Sequence, residues 1–163
     1  MTGSTPAPLP VLVEATEAAA ARRAAAEIAR HLQTCLEHRG TASVAFSGGH
    51  SPRAMLRELA VSKVDWRRVH IFQVDERDVA IGDRDRNWRM ITEELLVPGR
   101  VPSARCHPMP VGESNPSAAA RAYSQLLDEH APAGLDVVHL GLGEDGHTAS
   151  WAPGDRVLPG SEA

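Results

Sequence analysis

Residues 135–140, LDVVHL, run directly into residues 141–150, GLGEDGHTAS, and this stretch decides the fold. An apolar run of strand length opens onto glycines, two acids and a histidine. Small residues suited to a helix follow, so the pattern predicts a strand, a turn and a helix start. In an open α/β sheet, ligands bind outside the carboxyl ends of the strands. The stretch therefore predicts a small-molecule site.

Composition limits the class of protein. A chain of 163 residues suits one domain with a buried core. With a net charge of −4, no general attraction to nucleic acid or to a membrane surface is expected. Neither a secretory signal nor an apolar run of membrane length is visible, which predicts a cytoplasmic protein. Lys63 is the only lysine, so arginine, whose planar fork suits phosphate, must supply most of the contacts to any anionic substrate.

Alternating strands and helices are predicted along most of the chain. Residues 1–10 are expected to form a flexible terminus, residues 11–154 one domain, and residues 155–163 a loop-like tail. Apolar spacing and the positions of glycine and proline predict strands over 11–13, 41–46, 69–74, 105–109 and 135–140, and helices over 14–38, 53–59, 87–96 and 116–130. Such alternation predicts a three-layer, mostly parallel, Rossmann-like open α/β sheet.

Residues 141–146 also satisfy the pattern G-x-G-x-x-G. A dinucleotide site would need a further βαβ unit and an acidic residue about twenty positions on. The residues that follow supply neither, so no dinucleotide cofactor is expected. The glycines, Gly143 among them, more simply let the backbone turn tightly and approach a ligand.

His147 is the candidate catalytic base. It follows a glycine turn at an expected helix N-terminus, where the helix dipole disfavours the protonated ring. A neutral imidazole near pH 7 is what a general base requires. Asp145 would orient this ring or contact sugar hydroxyls, or would cap the helix instead. Taken alone, His147 would be an ordinary loop histidine.

A second candidate segment, SGGHSP at residues 47–52, lies between a predicted strand and a predicted helix. Its backbone amides and the helix N-terminus together would form an anion cradle built from Ser47, Gly48, Gly49 and Ser51. The segment matches neither the phosphate loop of nucleoside triphosphatases nor the nucleophile elbow of hydrolases. A plain turn is the alternative.

Asp75 and Arg77 follow a third predicted strand. Because parallel strands share one direction, the three strand ends should meet at one edge of the sheet. The alternative for Arg77 is a surface ion pair with Asp75 or Asp78.

No metal site is assigned, because the other histidines have no ligand spacing of the H-E-x-x-H kind; they are His31, His38, His50, His70, His107, His130 and His139.

Together these segments resemble the 6-phosphogluconolactonase family. The matching motifs are FSGGHSP at 46–52, VDERDV at 74–79 with Asn87, and LGLGEDGHTAS at 140–150, and the likeness runs from about residue 12 to 154. The resemblance implies hydrolysis of 6-phospho-D-glucono-1,5-lactone to 6-phospho-D-gluconate in the oxidative branch of the pentose phosphate pathway. It also implies the sheet of the sugar-phosphate isomerases and deaminases, with no cofactor.

The same resemblance implies roles for individual residues. His147 would activate the attacking water, while Arg77 and the loop at 47–51 would hold the phosphate. Asp75 and Asn87 would shape the pocket, and Gly143 and Asp145 would contribute to the substrate site. A lactone is an activated ester, so a base and oxyanion donors suffice for its hydrolysis.

Two alternatives stay open. The related deaminases continue the D-G-H unit as I-A-F-N-E, but residues 148–152 lack the glutamate, which makes a deaminase or isomerase the weaker interpretation. Family members run well past this motif, and their later parts supply another arginine and a lysine. A C-terminally incomplete domain is therefore expected, and an inactive or partner-dependent sugar-phosphate-binding fragment is the second hypothesis. The oligomeric state is not predicted.

Overall fold

A parallel sheet of three strands, in the order β2-β1-β3, forms the centre of residues 10–155, the part of the chain that the computed structural model describes. The regular elements in chain order are α1 (Glu17–Arg39), β1 (Ala42–Phe46), α2 (Pro52–Ala60), β2 (Val69–Gln73), α3 (Asn87–Ile91), α4 (Pro116–His130) and β3 (Val137–His139). Short helices at Trp66–Arg68, Thr92–Leu96 and Ser103–Arg105 complete the set.

Helices cover both faces of the sheet. Every residue of β1 and β2 is buried, as expected for parallel strands covered on both sides. Since successive side chains alternate between faces, Val44 and Phe46 join the core formed with α1, α2 and α3. Ala45 and Phe72 pack instead against Tyr123 of α4 on the opposite face. The predicted three-layer parallel α/β architecture is confirmed.

The Asp136 carboxylate fixes β3 beside β1. It accepts hydrogen bonds from the backbone amide of Ser43 at 2.9 Å and from the Ser43 hydroxyl at 3.2 Å, and it pairs with Arg39. Burial alone would raise the pKa of Asp136, but the hydrogen bonds from Arg39 and Ser43 outweigh burial and lower it. The ionised carboxylate thus sets the register that brings the loop after β3 next to the loop after β1.

Two predicted strands are wrong. Residues 11–13 form no strand, and Val11 and Val13 are more than four-fifths exposed, because no neighbouring strand offers them a ladder. The strand predicted over 105–109 is reduced to one bridge between Cys106 and Ile71, after a 3₁₀ turn at Ser103–Arg105.

Helix predictions also need correction. The helix predicted over 87–96 changes from α to π geometry at Thr92. No helix begins between His147 and residue 155, the last residue that the structure describes: residues 148–155 form turns and a bridge between Thr148 and Trp151. Ala149 has a φ of 53°, in the left-handed region, and Pro153 follows, so a continuous helix is blocked.

Among the helices described, none has the length and apolar character needed to cross a membrane.

Leu56 lies on the buried face of α2 and is fully buried, whereas Val61, at the end of the same helix, is 79% exposed. We expect Leu56→Ala to lower the free energy of unfolding by about 2–5 kcal/mol, because a buried cavity replaces apolar contacts. Val61→Ala should change it by less than about 0.5 kcal/mol. Urea unfolding of both variants measures this, and equal losses would contradict the assigned core.

Candidate active site

The loops after β1, β2 and β3 surround one cavity of about 390 Å³ at the carboxyl ends of the strands. Eight of the ten predicted site residues line it, with His139, Leu140 and neighbouring glycines between them: Ser47, Gly48, Gly49, Ser51, Asp75, Arg77, Gly143 and His147. Asn87 lines an adjoining cavity, and Asp145 contacts the His147 ring from outside. The structure thus brings the three predicted loops together.

The loop after β3 holds the imidazole of His147 in a defined orientation. Asp145 Oδ1 lies 2.6 Å from His147 Nδ1 and also accepts the His147 backbone amide at 3.1 Å. Hydrogen bonds from the backbone and the ring of His147 lower the pKa of Asp145. The ionised carboxylate places the ring proton on Nδ1, so Nε2 keeps its lone pair. Of the alternatives for Asp145, ring orientation fits, whereas capping a helix does not.

Gly143 makes room for this ring. A Cβ at Gly143 would lie 2.2 Å from two atoms of the His147 imidazole, which no side chain tolerates. The loop closes through the Gly143 amide, which donates to the His147 carbonyl at 2.8 Å, and through Gly146, whose φ is 90°. The glycines therefore serve a tight turn and close packing. The predicted dipole effect on His147 is wrong, since no helix begins there.

The loop after β1 presents free backbone amides to the cavity. Within residues 10–155, no acceptor is found for the amides of Gly48 and Gly49. Gly49 has a φ of 105°, and the space beside its Cα is open. The Ser47 hydroxyl accepts the Gly141 amide at 3.4 Å and so joins this loop to the loop after β3. These amides can receive an anion or a developing oxyanion.

Asn87 has a positioning role. Its Nδ2 donates to Asp75 Oδ1 at 3.0 Å, and its side chain lies so close to Gly48 that a Cβ there would meet Oδ1 at 1.8 Å. Asp75 Oδ2 in turn accepts the Ser150 hydroxyl at 2.8 Å. Asp75 therefore links the loop after β2 to the loop that carries the histidine.

Arg77 is the exposed cation of the cavity. Among the described residues its guanidinium forms no ion pair, so the predicted alternative of a surface pair with Asp75 or Asp78 is not found there. Arg77 also lines the adjoining cavity together with Arg53, Arg84, Arg86 and Asp85. Arg53 pairs with Glu94 and Arg86 with Glu76, which leaves Arg77 and Arg84 against Asp85, a small excess of positive charge on this side of the site.

Glu76 is the residue that sequence reasoning missed. Its side chain is fully buried and accepts the backbone amides of Arg77 at 2.8 Å and of Asn87 at 2.7 Å. The Trp88 amide, the Gln73 side chain and the Arg86 guanidinium also donate to it. Burial would raise the pKa of Glu76, but these hydrogen bonds lower it. The available signal was an acid three residues after a buried strand, and nothing in the sequence identified its partners eleven residues away.

A family model described as glucosamine-6-phosphate isomerases/6-phosphogluconolactonase matches residues 15–163. The 6-phosphogluconolactonase of Rhizobium meliloti is 40% identical over 141 residues, covering 86% of this chain and 60% of the relative. That of Synechocystis is 34% identical over 150 residues, covering 83% and 62%.

Solved structures agree with these sequence matches. A 6-phosphogluconolactonase from Shewanella baltica superimposes with a TM-score of 0.75 at 35% identity, covering 83% of this chain and 57% of the other. Across the bacterial relatives compared, the chain spans 55–63% of their length.

Glu76 also predicts a pH dependence of stability. Because its pKa is lowered below the unfolded value of 4.5, the unfolded state binds more protons in acid, and its contribution to stability is lost as the pH falls below about 4.5. Glu76→Gln should cost about 3–5 kcal/mol at pH 7, because it breaks a buried pair with Arg86. The difference from wild type should shrink as the pH falls.

Urea unfolding at a series of pH values measures this difference, with Glu58→Gln on the exposed face of α2 as the matched control. A Glu76→Gln protein as stable as the Glu58→Gln control at pH 7 would contradict the structural role given to Glu76.

Proposed function

The chain belongs to the glucosamine-6-phosphate isomerase/6-phosphogluconolactonase family, and we propose that it hydrolyses 6-phospho-D-glucono-1,5-lactone to 6-phospho-D-gluconate. This is the lactonase step in the oxidative branch of the pentose phosphate pathway. The observation that carries the proposal is the pair of Asp145 and His147 at the same cavity as Arg77, an arginine that forms no ion pair within residues 10–155. The prediction that the protein works in the cytoplasm stays a prediction.

His147 is the proposed general base. Asp145 holds the proton on Nδ1, so Nε2 is free to accept a proton from water. The oxygen of that water adds to C1 of the lactone, and the C1 carbonyl becomes an oxyanion. Collapse of this intermediate breaks the bond between C1 and the ring oxygen, which takes the proton back from His147. Water and lactone thus yield the open-chain acid, with the base regenerated and no redox change.

The remaining groups of the cavity supply binding and charge stabilisation. The amides of Gly48 and Gly49, which have no acceptor in the described part of the chain, and the guanidinium of Arg77 suit the phosphate, which is an anion with several acceptor oxygens. Substrate held at this end would present its lactone to His147 on the opposite loop. Lys63, the one lysine of the chain, lies outside the cavity, so an arginine must supply the cationic contact to the phosphate. The planar guanidinium of Arg77 suits this role, because it can bind two phosphate oxygens at once.

The second candidate is a protein that binds sugar phosphates without turning them over. It shares the cavity and Arg77 with the first, so binding alone does not separate them. The deaminase alternative is weaker, because residues 148–152, TASWA, lack the glutamate that the deaminases carry in this stretch. Freshly prepared lactone and glucosamine 6-phosphate, offered separately to the purified chain, distinguish all three.

We expect His147→Ala to lower kcat for the lactone by roughly 10²–10⁴-fold, the usual contribution of a positioned base. Binding of 6-phosphogluconate should persist, because the phosphate end is untouched. His38→Ala, on the exposed surface of α1, is the matched control. Rates are measured above spontaneous hydrolysis, and wild-type turnover in His147→Ala would refute the assignment. If the wild-type protein hydrolyses the lactone no faster than the spontaneous reaction but still binds 6-phosphogluconate, the non-catalytic candidate is favoured.

Arg77→Ala should act mainly on KM. Losing hydrogen bonds to a charged partner costs about 1.5–3 kcal/mol, which corresponds to a rise in KM of about 10–100-fold with a smaller change in kcat. Arg22→Ala, on the exposed side of α1, is the matched control. Steady-state kinetics measure both constants. An unchanged KM in Arg77→Ala would place the phosphate elsewhere.

A further inference from the structure

We propose that His70, His107 and His130 form a binding site for one divalent transition-metal ion that imidazole ligands favour, such as Zn²⁺. The site is separate from the cavity described above. His70 is the second residue of β2, whereas the cavity lies beyond the carboxyl end of that strand. His107 follows the bridge to Ile71, and His130 ends α4. Three elements thus contribute one histidine each, a grouping that sequence spacing does not reveal.

The ring nitrogens lie close enough to share an ion. One ligand nitrogen from each histidine lies within 4.8 Å of the other two, and His70 Nδ1 is 2.9 Å from His107 Nε2. A tetrahedral ion with ligand nitrogens at about 2.0–2.1 Å separates them by roughly 3.3 Å. The first pair therefore needs an adjustment of a few tenths of an ångström. The His130 ring stacks on the other two rings, at centroid distances of 4.4 and 4.6 Å, so it must turn as well as approach before its nitrogen faces the ion. Its place at a helix end, with a side chain 24% exposed, allows this movement.

The chemical state of the rings suits a metal ligand. His70 and His107 are buried, and burial, with the charge of Arg105 as a further cause, lowers their pKa values to about 4. Both rings are therefore neutral at pH 7 and keep a lone pair, the form that binds a metal. Neutral imidazole is a ligand that suits Zn²⁺, Cu²⁺ and Ni²⁺, whereas Mg²⁺ and Ca²⁺ prefer oxygen.

Arg105 occupies the site from one side. Its guanidinium donates to His70 Nε2, so His70 carries its proton on Nδ1 and donates it to His107 Nε2. An ion bound to His70 Nδ1 would require the ring proton to move to Nε2, the nitrogen that accepts from Arg105, and its charge would repel Arg105, which is partly exposed and has solvent to move into. Removal of the guanidinium should therefore strengthen metal binding.

The test uses the full chain without an affinity tag, first freed of metal by a chelator. Zn²⁺ is titrated by calorimetry, and Co²⁺ is titrated by visible absorption. We expect one ion per chain and ligand-field bands typical of tetrahedral Co²⁺. His130→Gln should weaken binding by at least about tenfold, since even partners outside the ligand shell contribute 10–100-fold. Arg105→Gln should tighten it severalfold.

Two controls locate the ion. His38→Gln removes an exposed histidine of α1, and His147→Gln removes the histidine of the catalytic cavity; both should bind Zn²⁺ like wild type. The proposal is overturned if wild type binds no more tightly than His130→Gln, or if binding is lost in His147→Gln. Circular dichroism of His130→Gln and Arg105→Gln verifies that each is folded. If one variant does not fold, the change in Zn²⁺ affinity of the other still tests the proposal.

Discussion

A buried carboxylate, that of Glu76, holds the site together. Three contacts converge on it: it accepts the side chain of Gln73, the last residue of β2, it accepts the amides that begin α3, and it pairs with Arg86. Asn87 is fixed by this contact, and Asn87 then holds Asp75, which holds Ser150 in the loop after β3. The three loops are therefore interlocked by hydrogen bonds between side chains as well as by the parallel sheet beneath them.

This network leaves a small set of groups without internal partners, and those groups carry the proposed chemistry. Within residues 10–155, no partner is found for the amides of Gly48 and Gly49, for the guanidinium of Arg77 or for Nε2 of His147. A site of this kind is preorganised: its donors are oriented before substrate arrives, so little reorganisation is needed when charge develops. These donors at the cavity also explain how a chain with a net charge of −4 can bind a phosphate locally.

Sequence patterns predicted what local and periodic signals determine. Apolar runs identified β1, β2 and β3, and the shared direction of parallel strands predicted that their loops meet. Contacts between residues far apart in the sequence could not be predicted, because they depend on packing across several elements. Examples are the contacts of Glu76 and the cluster of His70, His107 and His130. Small residues after His147 suggested a helix, because nothing in them showed that the chain would turn back at Ala149.

The most direct measurement is a crystal structure of this chain with 6-phospho-D-gluconate bound. The predicted result is a phosphate held by Arg77 and the amides of Gly48 and Gly49, with the carboxylate carbon of the product beside Nε2 of His147. A product molecule whose phosphate lies away from Arg77, or whose carboxylate does not approach His147, would contradict the assignment of these loops to one active site.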